Sequence, residues 1–253
     1  MEIKAFNLTY FLLLAFIAGA VIFFSLYMKK RSLFDKKCLI FCICLFNLIL
    51  FFFYKIGLYV GHEELTSRGY EFDIWLELPL QLCNITMFLV PIGILLNNDK
   101  LYAYGFYIAP LAAFFALTFP DNNFTETNIF YLHNIGYYFT HAIIIIDGIL
   151  LVTLGIFRPN FKTAVFLNLI VVVLSAVIFG FNCLVRHFIG SPANYFYTYE
   201  HQDISILKLF WSIVPIRYLF AIFAMFILNA FIVIVTLPFY FIDKKKAKMK
   251  MVA

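Results

Sequence analysis

An all-α, polytopic membrane protein is the fold class this sequence predicts, and three observations predict it. Of its 253 residues, 64% are hydrophobic and only 13% charged, with a mean hydropathy of +0.93. A water-soluble domain of this size needs more polar surface than that to cover its core. The apolar residues fall in stretches long enough to cross a bilayer, and the basic residues collect in alternate gaps between them. The expected architecture is a seven-transmembrane helical bundle, with residues 1–253 forming one unit and no separate soluble domain.

The expected crossings lie at about 7–28, 38–60, 75–96, 102–119, 129–156, 164–185 and 209–242. The first, from Asn7 to Met28, is too long for a signal-peptide core and lacks a small-residue cleavage pattern, so it reads as a retained span. The second opens on Cys38, Cys42 and Cys44, and the third carries Cys83. The fourth is the shortest and contains Pro110; the fifth carries His133, His141 and Asp147. Asn182 lies near one end of the sixth. The last is overlong and contains Pro215 and Pro238, so it is expected to tilt, kink or run on past the membrane.

Orientation follows from charge. Thirteen lysines and arginines flank one side, including Lys29, Lys30 and Arg31 after the first span and Lys244, Lys245 and Lys246 after the last. The other side has four, Lys4, Arg68, Arg186 and Lys208, and its 120–128 loop has none. The positive-inside rule puts the N-terminus outside and the C-terminus in the cytoplasm. The Lys244–Lys250 cluster is therefore a topology signal, with at most a weak attraction for anionic lipid, and no nucleic-acid partner is expected.

Five cysteines, all within apolar runs, form an odd set that argues against a disulfide framework. Cys38, Cys42 and Cys44 match no structural zinc spacing and read as small apolar fillers. A metal held by Cys83, His133, His141 and His187 lacks any HExxH or CxxC spacing to support it, so no metal is expected. There is no G-x-S-x-G elbow and no phosphate-binding glycine loop, and no cofactor is expected.

The polar residues of the spans gather at one level. Cys83 lies about eight residues into the third span and His141 about twelve into the fifth; at ~1.5 Å per residue their depths differ by about 6 Å. Arg217 is about eight residues into the seventh span, Lys55 and Asn182 lie near the outer ends of theirs, and Glu77 and Asn84 flank the cysteine. Ionisable groups inside spans usually face a bundle interior or a wet cavity, so this layer reads as a chamber opening outward. Each member has a plainer reading. Lys55 and Glu77 suit snorkelling equally well, and Asn182 suits a helix–helix hydrogen bond. His133, eight residues before His141, suits a structural or substrate-binding role near the chamber mouth. Arg217 needs a permanent anionic partner, either a carboxylate such as Glu77 or a lipid phosphate.

A thiol and an imidazole at one level suit nucleophilic attack on an ester, the ring removing the thiol proton and later serving the leaving group. A transporter or receptor that merely binds lipid would also place ionisable groups there. Asp147 follows His141 by six residues, not the five of the His-x4-Asp pattern in acyltransferases that use acyl-CoA, so a membrane-resident acyl donor fits better.

At these residues the chain resembles a known family. The run from Leu78 through Pro79, Gln81 and Cys83 to Asn84, followed by the histidine helix ending in Phe157, Arg158 and Pro159, is similar to the bacterial YwaF-like integral membrane proteins. These belong with the transmembrane protein 164 family. Asn182, the Asn194–Phe196 run, and Trp211, Pro215 and Tyr218 match the same pattern, so the resemblance covers about 75 to 220. Gln81 stands where a histidine is frequent in bacterial relatives, and the Trp-Pro-Trp version of the Pro215 segment is missing. The resemblance implies a lipid acyltransferase that remodels phospholipids, with Cys83 as acyl-accepting nucleophile and His141 as general base and acid. Its partners would be phospholipid and lysophospholipid substrates. Arg217 and Lys55 are the candidate headgroup contacts, Asn84 or Asn182 the candidate oxyanion donors, and Gln81 and His133 further substrate-contact candidates. A lipid ester hydrolase would use the same pair. Phe-, Ile- and Lys-rich usage points to an AT-rich bacterial genome and a cytoplasmic membrane.

Overall fold

The computed structural model describes residues 3–4, 6–61, 72–120, 130–201 and 204–252. Arg68 and most of the 120–128 loop, both used in the orientation argument, lie outside the described residues. The described chain is all α-helical apart from turns and two short 3₁₀ segments. Its main helices are α1 (Leu8–Tyr27), α2 (Leu33–Val60), α4 (Leu82–Leu96), α5 (Asp99–Thr118), α6 (Leu132–Thr153), α7 (Phe161–Phe188) and α9 (Ile222–Val252). Two short helices complete the order, α3 (Ile74–Glu77) before α4 and α8 (Ser205–Ile213) before α9.

Among the described residues, six helices are long and apolar enough to cross a membrane; α4, at 15 residues, is shorter. Phe11 and Phe16 on α1 and Phe46 and Phe53 on α2 are more than half exposed. An outward apolar surface of that extent suits lipid, not water. The chain is an integral, polytopic membrane protein.

The helix ends follow local chemistry. Asn7 caps α1 by accepting the Tyr10 N–H, and Ser32 with Asp35 forms a capping box at α2. The α4–α5 hairpin turns on two asparagines. Asn97 takes the left-handed conformation (φ 51°) that ends α4, and Asn98 accepts the Lys100 and Leu101 N–H groups that begin α5. Asn160 does the same for Thr163 at α7, directly after Pro159.

Helices α6 and α5 are the buried centre. Their apolar windows are 72% and 67% buried, against 22–28% for the other long spans. α6 packs against α5, α2 and α1, and α5 against α4. Small residues set the approach: a Cβ at Gly148 of α6 would lie 2.6 Å from the Gly105 carbonyl oxygen of α5. Without a hydrophobic drive between helices in lipid, such close backbone contact supplies much of the packing.

Two expected spans are reshaped by proline. The third does not run from 75 as one helix. Pro79 holds Leu78 extended (φ −63°, ψ 146°), so the chain makes α3, breaks, and restarts at Leu82. The last is likewise interrupted: α8 stops at Ile213, Val214 before Pro215 leaves the helical region (φ −131°, ψ 89°), and α9 begins only at Ile222. Arg217 therefore stands in a break between helices and not eight residues inside a span.

Candidate active site

The break at Pro79 decides where the thiol sits. Cys83 is the second residue of α4, in its first helical turn. The amides of Leu82, Cys83 and Asn84 have no intrahelical acceptor there, and Gln81 at the N-cap makes no side-chain cap bond. The positive end of a helix dipole thus surrounds the sulfur.

His141 lies mid-way along α6, and its Nε2 is 3.3 Å from Cys83 Sγ. Its other ring nitrogen, Nδ1, is 2.7 Å from the Tyr137 carbonyl oxygen one turn earlier. A carbonyl only accepts, so Nδ1 carries the proton and Nε2 presents its lone pair to the thiol. The Tyr137 ring lies against the imidazole at 4.4 Å between centroids, and its hydroxyl donates to the Ala116 carbonyl. Sulfur and ring are both buried, at 7% and 5% exposure. Asn84 Oδ1 is a second, longer neighbour of the sulfur at 3.7 Å.

Lys55 of α2 forms an ion pair with Glu77 of α3, over the rings of Tyr54 and Phe51. Neither partner snorkels freely: their side chains are 18% and 15% exposed. Lys55 is within electrostatic reach of both Cys83 and His141. His133 is buried in the first turn of α6 and stacks on Tyr131.

A strap over residues 191–200 ties this region to α7. Gln81 Oε1 accepts the Phe196 N–H at 3.0 Å, so Gln81 joins the strap to the start of the cysteine helix. Phe196 and Tyr197 hold φ of 59° and 52°, a strained state for non-glycine residues that the surrounding bonds must maintain. The Tyr195 hydroxyl donates to the Trp75 carbonyl and accepts the Leu78 N–H. Burial pushes that hydroxyl's pKa up, so it stays a neutral bridge. Asn182 is fully buried, with its amide hydrogens committed to Tyr195 O and Thr198 Oγ1 and its oxygen to the Tyr195 N–H. It therefore builds the strap and has no donor left for an oxyanion, correcting that part of the sequence reading. The contacts of Arg217 do not include Cys83 or His141. The Arg217 guanidinium lies over Tyr199 at 4.1 Å, beside Arg186 of α7.

All five cysteines are free, and Cys44 Sγ lies 3.3 Å from Asp147 Oδ2. Among the described residues no group of three or more His, Cys, Asp or Glu side chains is arranged to hold a metal. The structural features that sequence reasoning missed are the Tyr137 carbonyl and the bonds by which the Asn194–Tyr199 segment is tied to Gln81, Trp75 and Asn182. The first was available in the i to i−4 spacing of a helical histidine; the second had no local signal beyond its aromatic residues.

The sequence model of one family matches residues 4–240. The chain belongs to the TMEM164 family. No curated protein and no solved structure matches it. This TMEM164-family protein is thus a membrane protein with a buried cysteine in contact with a histidine.

Proposed function

We propose that the protein is a membrane-embedded acyltransferase that moves a fatty acyl chain from a phospholipid to a lysophospholipid through a Cys83 thioester. The observation that carries this reading is the 3.3 Å contact between Cys83 Sγ and a His141 Nε2 whose lone pair is freed by the Nδ1–Tyr137 bond. His141 takes the thiol proton as sulfur attacks the ester carbonyl carbon. The first-turn amides of α4, with Asn84, stabilise the oxyanion and the thiolate. The ester C–O bond breaks, and the imidazolium returns its proton to the departing lysolipid alkoxide. An acceptor hydroxyl then gives its proton to Nε2 and attacks the thioester, releasing the thiolate.

Lys55 adds positive potential at the sulfur while Glu77 offsets its charge, and Gln81 positions the helix start. His133 and Asn84 are the further substrate contacts of this reading. Transfer is favoured over hydrolysis because sulfur and imidazole are nearly sealed from solvent, which shelters a thioester from water. The membrane architecture belonging to this reading is a single bundle of seven crossings. α4 with α3 completes the third, and the N-terminus lies outside a bacterial cytoplasmic membrane.

The test is incubation of purified protein with a phospholipid of defined chains and a lysophospholipid acceptor. Intact mass should rise by one acyl group at Cys83, and label should appear in the acceptor. Label only in free fatty acid would make it a hydrolase. No adduct and no product from folded protein would leave a lipid-binding transporter or receptor as the better account.

A further inference from the structure

A second polar site lies apart from the Cys83–His141 pair. Phe179, Cys183, Arg186 and His187 of α7, with Tyr199 of the strap and Arg217 of the α8–α9 break, line a cleft of about 350 Å³. Both guanidiniums lie 4.1 Å from the centroid of the Tyr199 ring. They differ in what else they touch. Arg186 donates from Nε to Ala193 O and from Nη2 to Pro192 O and Glu200 Oε1, leaving Nη1 without an acceptor among the described residues. Arg217 has no carboxylate and no hydrogen-bond acceptor among the described residues; the tyrosine face is its contact.

Its position is built. Tyr218, the next residue, is held at φ 67°, its N–H donating to Thr198 O at 2.7 Å and its ring lying 5.3 Å from Phe179. A strained non-glycine residue so firmly held points to a function for what it positions. The charges also give a rule for the occupant. Glu200 cancels Arg186, so Arg217 leaves one positive charge for a guest.

The surroundings are apolar. Phe188 at the end of α7 and Ile216 and Leu219 beside Arg217 are 75%, 54% and 48% exposed. A permanent guanidinium set among lipid-facing side chains meets its anion most readily as a phosphate that brings acyl chains with it. The Tyr199 ring, where a quaternary ammonium would dock, already has two cations packed on it. A headgroup with its own cation is therefore disfavoured.

We infer that this cleft binds the phosphodiester of a glycerophospholipid whose headgroup is net anionic. Arg217 contacts the phosphate and Arg186 Nη1 donates a second hydrogen bond. The lipid's fate as acyl donor or acceptor rests on the acyl-transfer reading above; its binding does not.

The test therefore uses the Cys83→Ala protein, which cannot turn over. Binding of phosphatidylglycerol, phosphatidylcholine and inorganic phosphate is titrated in neutral detergent by native mass spectrometry. Phosphatidylglycerol should bind more tightly than phosphatidylcholine, and adding Arg217→Gln should weaken it about tenfold, the effect of losing one charged hydrogen bond. Arg217→Lys should restore part of the loss. Equal phosphatidylglycerol binding with and without Arg217→Gln overturns the site. Equal binding of the two lipids overturns the anionic selectivity, and inorganic phosphate binding as tightly as lipid makes the guest a free anion. Intact, Arg217-dependent lipid binding beside a Cys83 that never acylates would sink the acyl-transfer reading and leave the cleft standing.

Discussion

Two buried thiols in this protein each lie 3.3 Å from an acceptor on α6, yet their surroundings differ in kind. Cys83 faces the free lone pair of His141. Cys44 donates to Asp147 Oδ2, and Asp147 Oδ1 has no hydrogen-bond partner among the described residues. Cys83 begins a helix, among amides with no intrahelical acceptor; Cys44 is mid-way along α2, where every nearby amide is spent on its own helix. An ionised Asp147 would repel a Cys44 thiolate, and a protonated one is no base. The pair teaches that a thiol gains nucleophilic character from what stabilises its anion, not from having an acceptor in range.

The sharpest way to break that comparison is to remove each sulfur in turn. Cys83→Ala should abolish acyl transfer and the acyl adduct, a fall of about 10³-fold or more. Cys44→Ala should keep transfer within about threefold, its loss being a small packing defect. Both are read by product formation and intact mass on the same lipid. Equal losses would mean that Cys44 acts through the site or that neither thiol is the nucleophile.

His141→Ala should follow, lowering the transfer rate by about 10²–10⁴-fold, the range for losing a general base. Its thermal midpoint should stay close to that of the parent. Single-turnover acylation separates this from a structural effect, since the thiol would remain present but unactivated.

Gln81→Ala probes the helix start. Losing the Phe196 N–H bond should destabilise the protein by about 1–2 kcal/mol. It should also slow transfer about tenfold by loosening the first turn of α4. Gln81→Glu retains an oxygen acceptor and should recover part of both; thermal unfolding and initial rates read them together.

The smallest expected effect is at the other thiol. Asp147→Asn removes a buried ionisable group while keeping its shape and an oxygen for Cys44. Transfer should change by less than about twofold and stability should hold or rise. A large drop in rate would show that the carboxyl, one helix face from His141, communicates with the site.

Much of this organisation was legible in the residues themselves. The apolar runs around α1, α2, α5, α6 and α7 matched helices within a few residues at each end, because lipid demands an uninterrupted apolar helix. Residue counting also put Cys83 and His141 at one depth. It did not reveal that Pro79 would place the cysteine in a first turn, although a proline four residues upstream was a readable signal.

By itself the sequence determined a polytopic helical membrane protein and a shared level for one thiol and one imidazole. These follow from length, polarity and charge, which act locally along the chain. Only tertiary structure decided that Lys55 meets Glu77, that Asn182 is consumed by the strap, and that Arg217 turns to Tyr199 instead of toward the thiol. The rotation of a helix about its axis and the path of a loop depend on packing with neighbours distant in sequence. Small residues such as Gly148 against Gly105 set that packing, and no single segment encodes it.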